Sequence, residues 1–226
     1  MLACIVLTAV PVLLLRWWDP PGSAFMLSAR LQALRSGDSA YQLRYEWVDL
    51  EQISRHAALA VIAAEDQLFP YHWGFDLDSI REAVRENAHR KRPRGASTIT
   101  QQVAKNLFLW NGASYVRKGI EAWFTVLIEL LWPKARILEV YLNIAQFGRG
   151  VYGVEAAAQT FFRKPAARLA REEAAILAAV LPNPVRMRAD RPSRYVLSRR
   201  DWILDQMEGL GGAQYLKTVA PHAAWL

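Results

Sequence analysis

The stretch ISRHAALAVIAAED, residues 53–66, runs a nearly uninterrupted apolar face straight into two adjacent carboxylates. Ile53, Ala57, Ala60, Val61 and Ala64 recur at i, i+4, i+7, i+8 and i+11, one stripe of a helix that ends near Glu65. A segment this poor in charge is built for burial, so acidic groups at its end need a chemical reason. An aromatic, a histidine and a glycine follow at once, in Phe69, His72 and Gly74.

Helical patterns continue at 77–90, 97–108, 114–131, 134–146, 153–162, 171–181 and 193–208, separated by Gly, Pro or Asn. Asp76 or Asp78 is placed to cap the first of these, and Ser97 or Thr98 the second. Only YQLRYEWV, 41–48, alternates well enough to predict a strand. The fold class is mainly α. A chain of 226 residues holds one sizeable core, or one core with a small lobe. The net charge of +7 suggests an anionic partner, but no recognisable nucleic-acid-binding motif accompanies it. One cysteine, Cys4, excludes an internal disulfide or a cysteine metal site.

Residues 1–15, MLACIVLTAVPVLLL, are apolar except for Thr8. As a helix they span about 22 Å, short of the roughly 30 Å hydrocarbon core. Arg16 can snorkel, and Trp17 and Trp18 suit an interfacial belt. A cleaved signal peptide fits less well, because a basic n-region is missing and no A-x-A site precedes Asp19-Pro20-Pro21. The expectation is a single-pass anchor over 1–18, with 19–226 on the far side.

Three stretches carry chemistry. In GASTITQQVAKNLFL, 95–109, helical spacing gathers Thr98, Gln101, Gln102 and Lys105 on one face. That face is either ordinary and solvated, or one suited to sugar hydroxyls and phosphate oxygens. In YVRKGIEAW, Arg117 and Lys118 lie four and three residues before Glu121, so the three can meet. GRGVYG, 148–153, fits a dinucleotide fingerprint only on paper; a helical pattern precedes it, and its glycines predict a tight helix–helix turn. The four histidines, at 56, 72, 89 and 222, show no zinc-ligand spacing, and neither a nucleophile elbow nor a P-loop occurs. Carboxylates are the credible catalytic groups.

Taken together, these motifs resemble the glycosyltransferase family 51 domain of bacterial peptidoglycan polymerases, over nearly the whole chain from about Trp17. The matching residues are Glu65, Asp66, Phe69, His72, Gly74 and Asp76; Gly95 to Gln102 with Lys105 and Asn106; Arg117, Lys118 and Glu121; Lys134, Ile137, Leu138, Glu139, Tyr141, Leu142 and Asn143; and LAAVLPNP at 177–184. The resemblance implies a lysozyme-like α-helical head, a small membrane-proximal jaw lobe and one N-terminal transmembrane helix, with 19–226 as the glycosyltransferase domain and no transpeptidase. The implied location is the outer face of the cytoplasmic membrane. The implied partners are lipid II, the growing glycan chain and the membrane, extending to other cell-wall synthases and divisome proteins.

The same resemblance makes Glu65 the general base and Glu121 a second catalytic glutamate that organises the donor site or holds a divalent cation, Mg or Mn; no cofactor is required by sequence. It assigns substrate binding to Asp66, Phe69, His72, Gly74, Ser97, Thr98, Gln101, Gln102, Lys105, Asn106, Arg117 and Lys118. Lys105 is the leading phosphate ligand. Ala113 departs from the family pattern, where many members carry arginine, and Arg92 or Arg94 are candidate substitutes. A glycan-cleaving hydrolase and a non-catalytic membrane scaffold are the rival readings.

Overall fold

A computed structural model describes residues 2–87, 97–112 and 114–221. Ala113, Arg92, Arg94, His89, His222 and the start of the Gly95–Gln102 motif lie outside them. Ten α-helices are described: α1 (Leu2–Leu14), α2 (Ala24–Arg35), α3 (Arg55–Glu65), α4 (Leu77–Asn87), α5 (Ile99–Phe108), α6 (Tyr115–Leu131), α7 (Lys134–Ile144), α8 (Val154–Phe162), α9 (Arg171–Val180) and α10 (Arg194–Gly209). Three very short strands, β1 (Arg44–Tyr45), β2 (Gln146–Gly148) and β3 (Val151–Tyr152), form one sheet in the order β1-β3-β2. The fold is mainly α, as the sequence predicts.

Small residues set the centre. Every residue of α3 from Ala57 to Ala63 is buried, and α9 buries Ala174, Ala175, Leu177, Ala178, Ala179 and Val180. Alanine on both partners lets these two helices approach closely, and α10 packs against both. On the other side, α5 is sandwiched between α6 and α7. The site lies where these two groups meet, because α3 ends beside α5.

Two expectations are corrected. The strand predicted over 41–48 shrinks to β1, which pairs in parallel with β3. The glycines of 148–153 do not join two helices directly. They build a β2–β3 hairpin, and Gly153 then starts α8. At Gly150, φ is +73° and a Cβ would sit 2.1 Å from the Gln42 carbonyl oxygen, so only glycine fits. The helix α2 was not foreseen from the sequence at all.

The N-terminal helix is 13 residues long with Pro11 inside it, and no helix among the described residues is long and apolar enough to cross a membrane. It is fastened to the body along α6. The Trp132 indole donates to the Val12 carbonyl at 2.6 Å, and the Trp123 indole to the Thr8 hydroxyl at 3.0 Å. Arg16, which is exposed, donates to the Leu131 carbonyl at 2.7 Å, at the C-terminal end of α6 where a cation is favoured. Arg136 gathers the chain beyond α1, donating to the Leu15 and Trp18 carbonyls and to Asp19 and Glu139.

Candidate active site

The two adjacent carboxylates have opposite surroundings. Asp66 is buried, accepts from the Ile99 backbone amide at 2.9 Å and from His72 Nε2 at 2.8 Å. It therefore sits at the N-terminus of α5, where free amides and the helix dipole favour negative charge. The Gly74 amide donates to His72 Nδ1 at 3.1 Å, which leaves the proton on Nε2, pointing at Asp66. Glu65 instead ends α3, at the pole of a helix that disfavours an anion. Its firm hydrogen bond comes from the neutral Gln102 amide at 2.9 Å, and the Arg199 guanidinium stands 3.5 Å from its other oxygen. Burial pushes the Glu65 carboxyl up from its ordinary value, with Gln102, Arg199 and Lys105 opposing.

Tyr141 of α7 fixes Gln102. Its phenol, held protonated by complete burial, donates to the Gln102 side-chain oxygen at 3.1 Å, so the amide NH2 must face Glu65. A carboxylate with one neutral donor, short of solvent and ready to take a proton, is a general base in form.

One turn along α5 from Gln102 comes Lys105. Its ammonium lies over the Phe25 ring at 5.7 Å, and among the described residues it has no ion-pair partner. Burial lowers its pKa; Glu121 and Glu65 both pull it back, while Arg117 and Lys118 push the other way. Lys105 thus feels the charge of both glutamates. Glu121 is buried to 2% exposure in the first half of α6, accepting from Arg117 at 3.1 Å and from Lys118. The trio that the spacing predicts is formed.

Both Glu121 oxygens are engaged by these cations, and no cluster of three His, Cys, Asp or Glu side chains gathers among the described residues. This donor set, one carboxylate amid three cations, does not fit a protein-held divalent ion. No step is therefore derived through a metal.

Several residues assigned to substrate binding are committed inside the protein. Thr98 and Gln101 form a reciprocal capping box at the start of α5, and the Thr98 hydroxyl donates to the Gly74 carbonyl at 2.7 Å. Phe69 is wholly buried beneath His72. Gly74 has φ +79°, and a Cβ there would meet Thr125 Cγ2 at 2.6 Å. These residues, with Asp66 and His72, hold the α3–α5 junction in place. Gln102, Lys105, Arg117 and Lys118 keep donors or charge toward the cleft. Asn106 is half-buried on the same stretch of α5, and Ser97 is exposed just before Thr98.

Sequence reasoning missed two groups. Glu129 of α6 is buried, accepting from the Thr100 hydroxyl at 2.5 Å and from Lys134 at 2.8 Å. Lys134 also donates to the His72 carbonyl at 2.7 Å and lies over Phe69, tying α5, α6 and α7 to the Asp66–His72 turn. The signal was a lone acid in the apolar run VLIELLW. Arg199 lies in an Arg–Arg pair on α10, which reads from sequence as a solvated face. Two cavities, of about 410 and 440 Å³, lie elsewhere, and neither is lined by Glu65, Lys105 or Glu121.

Comparison with known proteins agrees with this geometry. The family described as Transglycosylase matches residues 32–208. A biosynthetic peptidoglycan transglycosylase of Pectobacterium carotovorum subsp. carotovorum (strain PC1) is 54% identical over 207 residues, 91% of this chain and 85% of the relative. One from Klebsiella oxytoca is 54% identical over 223 residues, covering 98% and 92%. One from Yersinia pestis (strain Pestoides F) is 53% identical over 214 residues, covering 94% and 89%. The chain belongs to the transglycosylase family and is a peptidoglycan glycosyltransferase.

Proposed function

We propose that this chain polymerises lipid II into linear β-1,4 glycan strands, releasing undecaprenyl pyrophosphate, with Glu65 as general base. The observation that carries the reading is the setting of Glu65, a carboxylate pushed up by burial and held by the neutral Gln102 amide at 2.9 Å. Lys105, one turn along the same helix from Gln102, feels the charges of both Glu65 and Glu121, and Glu121 is paired with Arg117 and Lys118. The 4-hydroxyl of the acceptor sugar gives its proton to Glu65 as its oxygen attacks C1 of the donor. The C1–phosphate bond breaks, and the electron pair leaves on the lipid pyrophosphate. That leaving group needs no protonation; it needs cations, which Lys105, Arg117 and Lys118 supply. Attack from the face opposite the phosphate inverts C1, turning an α-linked donor into a β-linked product. Glu121 keeps Arg117 and Lys118 in place rather than touching the reacting atoms.

The membrane assignment belongs to the same proposal. Leu7 on α1, Leu27 and Leu34 on α2, Leu130 on α6, and Trp17 and Trp18 are each at least 60% exposed. An apolar surface of this extent around α1 and α6 suits a bilayer, and a single-pass anchor beginning in α1 is the reading we favour. The loop after Glu65 is a split case: Phe69 fills the core, while Tyr71 and Trp73 are exposed.

The test is turnover of purified lipid II, with and without a chelator. Release of undecaprenyl pyrophosphate with growth of glycan supports the proposal. Cleavage of finished glycan without that release would identify a hydrolase instead, and turnover unaffected by loss of both Glu65 and Glu121 would leave only a scaffold.

A further inference from the structure

Arg199 is the unexplained charge of the site. It projects from α10, an element that none of the matched motifs includes, and its side chain is 22% exposed. Its Nη2 stands 3.5 Å from Glu65 Oε1, and its Nε is buried with no hydrogen-bond partner. A guanidinium offers five donors, and burying one unused is unfavourable. An arrangement that tolerates this cost holds the side chain by something else. The contact with Trp202, 5.9 Å from the guanidinium carbon to the ring centroid, does not explain the aim toward the carboxylate.

The remaining neighbours of Glu65 show what Arg199 adds. From α5 come the neutral Gln102 and the more distant Lys105; from α7 comes the protonated Tyr141 behind Gln102. Asp66, next in the chain, is a like charge that works against ionisation. The buried residues of α9 are Ala, Leu and Val, and from residues 212–218 the Tyr215 phenol is directed to the Gln67 carbonyl. Gln206, one helix face along α10, bonds Gln67. Among the described residues Arg199 is thus the cation in direct reach of the base, while Lys105 acts on it from farther away.

We infer that Arg199 is a positioning residue that keeps Glu65 ionised and aimed across the cleft, so that the base is ready before the acceptor hydroxyl arrives. A buried glutamate with only an amide donor is biased toward its protonated form, in which it cannot serve as a base. An adjacent guanidinium opposes this, in line with the general effect of an opposite charge within 4–6 Å. Burial, which raises the carboxyl, and Arg199, which lowers it, act against each other on this one group. This inference rests on the polymerase reading for its consequence, though not for the pairing itself.

Three variants separate charge from shape. Arg199→Gln and Arg199→Met remove the charge, the second keeping an apolar stem; Arg199→Lys keeps the charge. In full-length protein labelled with 13C-glutamate, the Glu65 carboxyl resonance is identified by its absence from Glu65→Gln. Its titration is expected to move to higher pH in the two neutral variants and to stay near wild type in Arg199→Lys. The acid limb of the lipid II turnover profile should move the same way, giving a loss of roughly 10-fold at acidic pH that shrinks as the pH rises. A purely structural role would lower turnover at every pH and leave that limb in place. Unchanged Glu65 titration in the folded neutral variants overturns the inference. A wild-type chain that makes no glycan at any pH, while Glu65 still shifts in the variants, refutes the polymerase reading and upholds the pairing.

Discussion

Lys134→Met tests the buried scaffold under the site. Lys134 bonds Glu129 at 2.8 Å and the His72 carbonyl at 2.7 Å, and the side chains of Lys134 and Glu129 are 18% and 4% exposed. Methionine fills similar volume but leaves the Glu129 carboxylate with only the Thr100 hydroxyl. Breaking one half of a buried pair costs about 3–5 kcal/mol, because the surviving charge keeps its desolvation penalty without its partner. A chain of this size loses about 2–4 °C of melting temperature per kcal/mol, so a drop of roughly 6–20 °C is expected by calorimetry. Polymerisation should fall as well, since the His72 carbonyl that helps set the Asp66–α5 junction loses its donor. Adding Glu129→Gln removes the stranded charge while keeping an acceptor for Thr100, and should recover most of the stability. A single variant that costs less than about 1 kcal/mol, or a double variant no better than the single, would refute this account of the pair.

Glu65→Gln keeps the size and the Gln102 contact but cannot take a proton; turnover should fall at least ~100-fold with the fold intact. Lys105→Ala should lower kcat/KM by roughly 10- to 150-fold, the equivalent of about 1.5–3 kcal/mol for a charge-assisted hydrogen bond to phosphate, with little change in melting temperature. A chain starting at Asp19 loses the carbonyl partners of Arg136 and Trp132, and should melt lower yet still float with liposomes, more weakly than the full chain. Recovery of that truncated protein wholly in the aqueous fraction would mean that no surface beyond residue 18 binds the bilayer.

The parts of this molecule that were legible in sequence share one property: their signal is local. The stripe from Ile53 to Ala64 identifies α3, and Thr98 and Asp76, each one of two candidates, mark helix starts that the structure bears out through bonds to Gln101 and Ser79. The Arg117–Lys118–Glu121 trio is a matter of i, i+4 spacing alone. What was missed depends on contacts far apart in the chain. In α2 the leucines at 27, 31 and 34 are exposed while Met26 and Ala33 are buried, so no single apolar stripe announces the helix. Strands of two or three residues are too short to alternate. Glu129 stands out as a lone acid in an apolar run, but its partner Thr100 is 29 residues away, and Arg199 meets Glu65, 134 residues away; the spacing of nearby residues announces neither contact. Spacing also over-assigned the polar face of α5. It placed Thr98 and Gln101 beside Gln102 and Lys105, but it could not say that the first two close a capping box while the others stay open.

The position of Glu65 carries a stability cost whose sign can be worked out. Burial holds its folded-state pKa above the ordinary 4.5, so between that value and the raised one the native state binds a proton that the unfolded chain has released. Stability then falls as the pH rises through this window, because the ionised carboxylate must stay in a desolvated place. Glu65→Gln carries no such charge. It should therefore be more stable than wild type above the window, and the advantage should vanish below pH 4.5, where both side chains are neutral. Calorimetry of the two proteins across this range checks it, and an equal offset at every pH would mean that burial of the charge is not the cause. The carboxylate beside it shows the alternative arrangement: Asp66, held by the Ile99 amide and His72, is an anion with its hydrogen bonds made, and it locks the start of α5. One acidic residue is placed to fix the helix that carries Gln102 and Lys105, and its neighbour is left short of donors so that a substrate proton can reach it. An acid pair satisfied on both sides would make a firmer α3–α5 junction and no base.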